Sequence, residues 1–431
     1  MSRAGAVDKS PRAGFVAATI DRRGHRRMTE AKPGSAYASR RIAAVNRLLE
    51  ALWAGGLASD PPLDPDALEA AARRAAGPAF DHPWDPRFDD GWRRRLALLS
   101  DELTGTARLT ALGRTIAHGQ IVAALATRLR AEALWRRHPE ILAAPLPAPI
   151  IIVGQMRSGS TRMQRLLACD PRLDFTRFYE SWNPVPRRPG GRPDDRRLRT
   201  FAGLSCARLL NPGFAAIHPT GIAQPDEEIG FYSPSIFGSA FEAQWRVPFF
   251  ARHCEIIDRQ PVYASFRRMV QTIRWLRGPA RRGDRPWILK TPQFSQDLAA
   301  VAGAFPDARL ILLRRDEPAT IASAVSLVGN QVALQSAVVD RGWITAEWTR
   351  KVRLREERMA ADAAACGLPQ INVDFAAMEA DWETQMARIY PLLGLGFDKD
   401  VRARMHRYVH SVPHRRLERQ RNAALAAATA G

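Results

Sequence analysis

The chain has 431 residues, 46% of them apolar and 25% charged, with 64 Lys and Arg against 44 Asp and Glu and a formal net charge of +20. That length allows one large α/β domain with additions or two to three smaller ones, and no apolar run approaches the ~18 residues of a membrane-spanning helix. The charge favours anionic partners such as nucleotides, sulfated products, nucleic acid or acidic lipid. The arginines are dispersed, however, and zinc-finger spacings, recognition-motif aromatics and basic-zipper heptads are missing, which argues against specific nucleic-acid binding.

In chain order, residues 1–34 are basic and poor in acids but lack the apolar core of a secretory signal. They read as a flexible arm, with Met28 an alternative start to Met1. Residues 35–145 read as a helical N-terminal region. Ile42, Val45, Leu48, Leu49 and Leu52 recur at helical spacing, as do Leu109, Leu112, Ile116, Ile121 and Leu125, and Pro61, Pro62, Pro83 and Pro86 mark breaks. An α/β domain is expected over 146–415 and a frayed tail over 416–431. Short apolar strands at 150–153, 287–289, 309–313 and 370–375 alternate with helices, the pattern of a central, mainly parallel sheet in a three-layer fold. The Pro/Gly/Arg-rich stretch 186–199 reads as a loop. Of the aromatics between Ser205 and Arg277 (Phe231, Tyr232, Phe237, Phe241, Trp245, Phe249 and Phe250), most are expected in the core, with some lining an acceptor pocket.

The densest signal is the stretch PIIIVGQMRSGSTRMQRLL, Pro149 to Leu167. An apolar strand runs into a turn bounded by Gly154 and Gly159, then into a helix. This order aims successive N–H groups and a helix N-terminus at one concavity, a cradle for a phosphate-like anion. The spacing is that of a P-loop, but Ser160 stands where a nucleotide kinase or NTPase carries its lysine. Arg157 lies inside the loop instead. Fixed cations of this kind can neutralise charge that develops on an anionic group without a metal. Kinase or NTPase chemistry and non-enzymatic binding of anions or nucleic acid remain the alternatives on the loop alone.

A second segment, Trp287 to Val328, reads strand, Lys290, helix, strand, arginines, helix. Lys290 is one of only five lysines in a chain that otherwise uses 59 arginines. A strand-end lysine there suggests a wanted point charge. Since ligands of such sheets bind beyond the strand C-termini, Arg157, Lys290 and Arg315 are expected to converge on one edge.

With these residues in view, the chain resembles the bacterial branch of the sulfotransferases that use 3′-phosphoadenylyl sulfate. The likeness rests on Arg157, Ser158, Gly159, Ser160 and Thr161, with Met156 where proline is commoner. It rests also on Lys290, on the FPDAR run before a strand, and on Arg315 followed eight residues later by Ser323. The resemblance covers about residues 149 to 330 and implies a P-loop NTPase-like fold. It implies that Arg157 and Ser158 to Thr161 grip the 5′-phosphosulfate, that Lys290 stabilises the leaving group with Ser295 as a possible assistant, and that Arg315, with Arg314 adjacent, and Ser323 hold the 3′-phosphate. The reaction implied is sulfuryl transfer to an acceptor hydroxyl on a small metabolite, lipid or carbohydrate, with no metal required. Glu180, in DPRLDFTRFYESWNPVP, is the favoured general base, its pKa expected to rise through desolvation; His218, Glu227 and Glu228 are its rivals.

Cys169, Cys206, Cys254 and Cys366 are far apart and form no metal-like pairs, as expected of reduced thiols in a cytoplasmic protein. His406, His410 and His414 recur every four residues, but no carboxylate accompanies them in sequence and Pro413 interrupts the pattern.

Overall fold

The structure, a computed structural model, describes residues 16–20, 26–30, 40–187, 194–211, 220–278 and 285–411. Within the expected basic arm, strands β1 (Val16–Ile20) and β2 (Arg26–Glu30) pair antiparallel. The main sheet has five strands: β3 (Ile150–Val153), β4 (Asp174–Phe175), β5 (Trp287–Lys290), β6 (Arg309–Arg314) and β7 (Gln370–Asp374). Their order is β4-β5-β3-β6-β7, with every neighbouring pair parallel.

Strand β3 is the middle strand, and all four of its residues are buried. Its alternation divides the core. Ile151 and Val153, with Leu289, Leu310 and Leu312, face a large cluster that contains Leu99, Leu125, Leu129, Trp135 and Phe266. Ile150 and Ile152, with Ile288, Ile311 and Leu313, face Met163, Leu167, Met386 and Tyr390. Two successive side chains on opposite faces of one strand thus nucleate two layers, and near-continuous apolar strands are what a sheet covered on both faces requires.

The helical region is formed mainly by helices Arg40–Ala54, Pro65–Ala76, Trp92–Thr104 and Ala111–Arg137. Asp64 caps the second, accepting from Asp66 and Ala67 N–H, and Thr110 caps the fourth through Gly113 N–H. This region shares one hydrophobic core with the upper face of the sheet.

Two sequence expectations change. The stretch 186–199 is not a loop throughout: helix Arg196–Leu210 begins inside it, where the Pro/Gly run gives way to RRLRT. And none of the seven aromatics between Ser205 and Arg277 named above lines the main cavity; six are buried, while Phe249 is 70% exposed. Phe231 and Tyr232 instead pack with Tyr263 and Phe266, and Phe237 with Tyr232, through edge and tilted ring contacts. The C-terminal alanine-rich tail and His414 lie outside the described residues.

Candidate active site

After β3 the chain bends through Gly154 to Gly159 and enters helix Ser160–Leu167, which is anchored by Met163, Leu166 and Leu167. Gly159 has φ 83°, and a Cβ there would lie 2.7 Å from Phe375 Cδ2, so both backbone and space demand glycine. At Gly154 only space is at issue, because a Cβ would lie 2.6 Å from Ser158 Oγ and 3.0 Å from Leu313 Cβ. Arg157 adopts φ 71°, a left-handed conformation that costs a non-glycine residue of order 1–3 kcal/mol and concentrates at functional sites. Arg162 and Met163 N–H are the first in the helix to find a carbonyl, that of Gly159. The N–H groups of Gly159, Ser160 and Thr161 have no backbone acceptor among the described residues. Ser158 Oγ is buried without a hydrogen-bond partner there. Open N–H groups at a helix start, with a buried hydroxyl beside them, are the donor set an anion would satisfy.

Lys290 ends β5, paired in register with Ile152 of β3, and is 1% exposed. It is thus the last strand residue rather than one just beyond the strand. Its Nζ donates to Thr161 Oγ1 at 3.2 Å and to Glu227 Oε1 in a short contact. Its backbone N–H donates to Glu228 Oε2 at 2.7 Å. Burial pushes Glu228 up to about 8, against the lowering effect of that N–H and of the Lys290 charge. Ser295 Oγ is committed to the Pro292 carbonyl at 2.7 Å in the turn that follows β5.

The third loop follows β6. Asp316 caps helix Glu317–Gln335 by accepting from Ala319 N–H, with Pro318 in the opening turn. Arg157 Nε donates to Ser323 Oγ at 2.7 Å, and the Arg315 guanidinium donates to the Arg157 carbonyl. Arg315 also lies over the Phe375 ring at 4.4 Å, and Phe375 opens the helix after β7. Arg314 is exposed. The loops after β3, β6 and β7 therefore meet, as the parallel sheet predicts, with Lys290 closing the β5 side.

Glu180 falls elsewhere. Its carboxylate is fully buried and accepts from Arg277 Nε at 2.9 Å and Nη2 at 2.6 Å, from Arg177 N–H at 2.9 Å and from Tyr179 OH at 3.2 Å. Burial acts to raise its pKa, but the Arg277 hydrogen bonds and charge, with Arg177 behind them, hold it below the ordinary value. The expected upward shift is thus reversed by the partners, and Glu180 does not line the cavity. Glu227, the rival carboxylate, does. His218 lies outside the described residues. His406 has the carboxylate that its sequence neighbourhood did not reveal, Glu383 at 2.8 Å from Nε2.

A cavity of about 680 Å³ runs from the loop into the protein. Arg157, Gly159, Ser160, Thr161 and Glu227 line its charged end. Beyond them the wall is predominantly apolar, with Ile116, Phe178, Trp182, Leu204, Leu210, Ile229, Leu327 and Leu334, interrupted by amides such as Gln120, Asn183, Gln244 and Gln331. Most of these wall residues carry no local motif and were not recognised from sequence. Only the helical periodicity of Ile116 and its neighbours pointed inward.

A P-loop-like turn carrying Arg157, a buried strand-end lysine, and Arg315 tied with Ser323 of the following helix to Arg157 place cations and donors at the C-terminal edge of an α/β sheet, the place where such folds handle anionic ligands. The sulfotransferase family model matches residues 149–399, and the chain belongs to that family. Among solved structures, it is similar to the sulfotransferase STF1 from Mycobacterium tuberculosis H37Rv, at 25% identity over 84% of this chain and 99% of that one, with a TM-score of 0.69. It shares its fold with the sulfotransferase STF9 from Mycobacterium avium, at 24% identity over 80% and 88% of the two chains and the same TM-score. No curated protein sequence matches it.

Proposed function

We propose that the protein transfers a sulfuryl group from 3′-phosphoadenylyl sulfate to an acceptor hydroxyl. The observation that carries this reading is the contact of buried Lys290 Nζ with Thr161 Oγ1 and the Glu227 carboxylate, the two partners that line the charged end of the cavity. The open N–H groups of residues 159–161 and the buried Ser158 hydroxyl suit the 5′-phosphosulfate, and Arg157 sits in the same loop. Arg315 and Ser323, joined through Arg157, suit the 3′-phosphate.

In this reading the acceptor oxygen forms a bond to sulfur while the bond from sulfur to the bridging phosphate oxygen breaks. Lys290 meets the charge that develops on that oxygen. Glu227, rather than Glu180, takes the acceptor proton, because it alone of the two faces the cavity. The buried, paired Glu180 instead fixes the segment that carries Phe178 into the cavity wall.

Calorimetric titration with 3′-phosphoadenosine 5′-phosphate, AMP, and ATP with magnesium tests the donor site. Strong preference for the bisphosphate is expected. Equal affinity for the bisphosphate and AMP, or tighter magnesium-dependent ATP binding, would reject the reading.

A further inference from the structure

Helix Arg196–Leu210 has two apolar faces with different neighbours. At about 100° per residue, Thr200, Gly203, Leu204, Ala207 and Leu210 share one side, and all five line the cavity. On the opposite side Leu198, Phe201 and Leu209 project at 71%, 58% and 64% exposure, with Ala202 and Ser205 completing the stripe. Three large exposed side chains on one helical face form a patch rather than scattered surface residues.

The surroundings of the patch are cationic. Arg197 and Arg208 are exposed along one edge of the stripe, and Arg41, beside exposed Arg40, donates to the Leu209 carbonyl at 3.2 Å. The nearby acids are already engaged: Asp194 with Arg196 at 2.7 Å and Asp195 with Arg199 at 2.7 Å. An apolar stripe bordered by arginines, on a chain of net charge +20, is complementary to an anionic bilayer surface. The cavity also reaches the surface beside this helix, because Gly203 and Cys206 are exposed while lining it, and Trp182, 42% exposed, stands at the same rim.

We propose that helix Arg196–Leu210 docks on an anionic membrane surface and brings the apolar cavity to a lipid-borne alcohol. The docking stands on the surface alone; the role of the alcohol as acceptor rests on the sulfotransferase reading above. An acceptor drawn from lipid would slide its apolar body between Leu204, Leu210 and Trp182, with its hydroxyl reaching Glu227.

The test compares the wild-type chain with the charge-neutral triple variant Leu198→Ser, Phe201→Ser, Leu209→Ser. The first measurement is flotation with vesicles of phosphatidylcholine alone or with phosphatidylglycerol. Wild type should float with the anionic vesicles and be released by high salt, and the variant should lose about ten-fold or more in partition. The second is sulfation of 1-hexadecanol held in those vesicles against soluble 1-hexanol; the variant should lose only the vesicle-borne reaction. Equal flotation of the two proteins overturns the docking. So does a change from a stable oligomer to a monomer in the variant, without any wild-type flotation, since the stripe would then be a protein interface. Flotation with no turnover of vesicle-borne alcohol, while hexanol is sulfated, overturns the acceptor assignment alone. Bisphosphate binding that fails in both proteins points instead to failure of the donor reading.

Discussion

Arg157 Nε donates to Ser323 Oγ at 2.7 Å, tying the loop after β3 to the helix after β6 across 166 positions of sequence. Arg315 reinforces the tie through the Arg157 carbonyl. The three residues can therefore respond as one unit to a bound phosphate.

Removing members of that unit should separate nucleotides. Ser323→Ala and Arg315→Ala should each weaken 3′-phosphoadenosine 5′-phosphate by about 10- to 100-fold, the loss of a charge-assisted hydrogen bond worth about 1.5–3 kcal/mol. AMP affinity should change little. Calorimetry reads both, and a parallel loss for AMP would show that these residues only hold the loop.

Lys290 should behave differently. Lys290→Ala is expected to lower kcat by about 10²–10³-fold, in line with removal of one transition-state donor. Bisphosphate affinity should fall far less. Because Lys290 is buried against Glu227, a thermal melt should accompany the kinetics, and Lys290→Arg distinguishes lost charge from lost position. A loss confined to binding would assign Lys290 a holding role.

The Glu180–Arg277 pair is expected to act on stability. Glu180→Ala removes two charge-assisted hydrogen bonds from buried Arg277, which keeps Asp174 and the Phe175 carbonyl as partners, and should cost about 1.5–3 kcal/mol. The depressed folded pKa means that the wild-type contribution is present above the ordinary glutamate value and is lost as pH falls through the folded value. Urea unfolding across the acid range should therefore show a steeper loss in wild type than in Glu180→Gln.

Glu228 has the opposite sign. With its pKa raised from 4.5 to about 8, the folded state holds a proton that the unfolded state releases between those values. Stability should therefore decline as pH rises through that window. Glu228→Gln keeps a hydrogen-bonding carboxamide and should flatten the decline; an unchanged slope in denaturant titrations at pH 5 and pH 8 would show that another group is responsible.

Much of this molecule is local and was therefore legible. Runs such as IIIV and LILL specify buried parallel strands, glycines bracket the cradle, and the rule that ligands sit beyond strand ends gathers Arg157, Lys290 and Arg315 onto one edge. The eight-residue separation of Arg315 and Ser323 is likewise set by one strand end and two turns of one helix.

Partnership across distance could not be read in the same way. The pKa of Glu180 depends on Arg277, 97 positions away, which reverses the effect of burial; sequence displays the carboxylate but not the cation that meets it. Glu227 gains its place from Lys290 of a different element, and His406 gains Glu383 from another helix. The cavity wall is assembled from side chains of at least four separate segments, each of which looks like ordinary core in isolation. Sequence by itself determined four of the five strands of the main sheet and the glycine-bounded turn that carries Arg157, because backbone geometry and side-chain periodicity are short-range; the two-residue β4 and the β1–β2 pair gave no such signal. Which carboxylate faces the cavity, and which apolar face is left to solvent, were decided only by tertiary packing, since burial and charge pairing are properties of what the fold brings alongside.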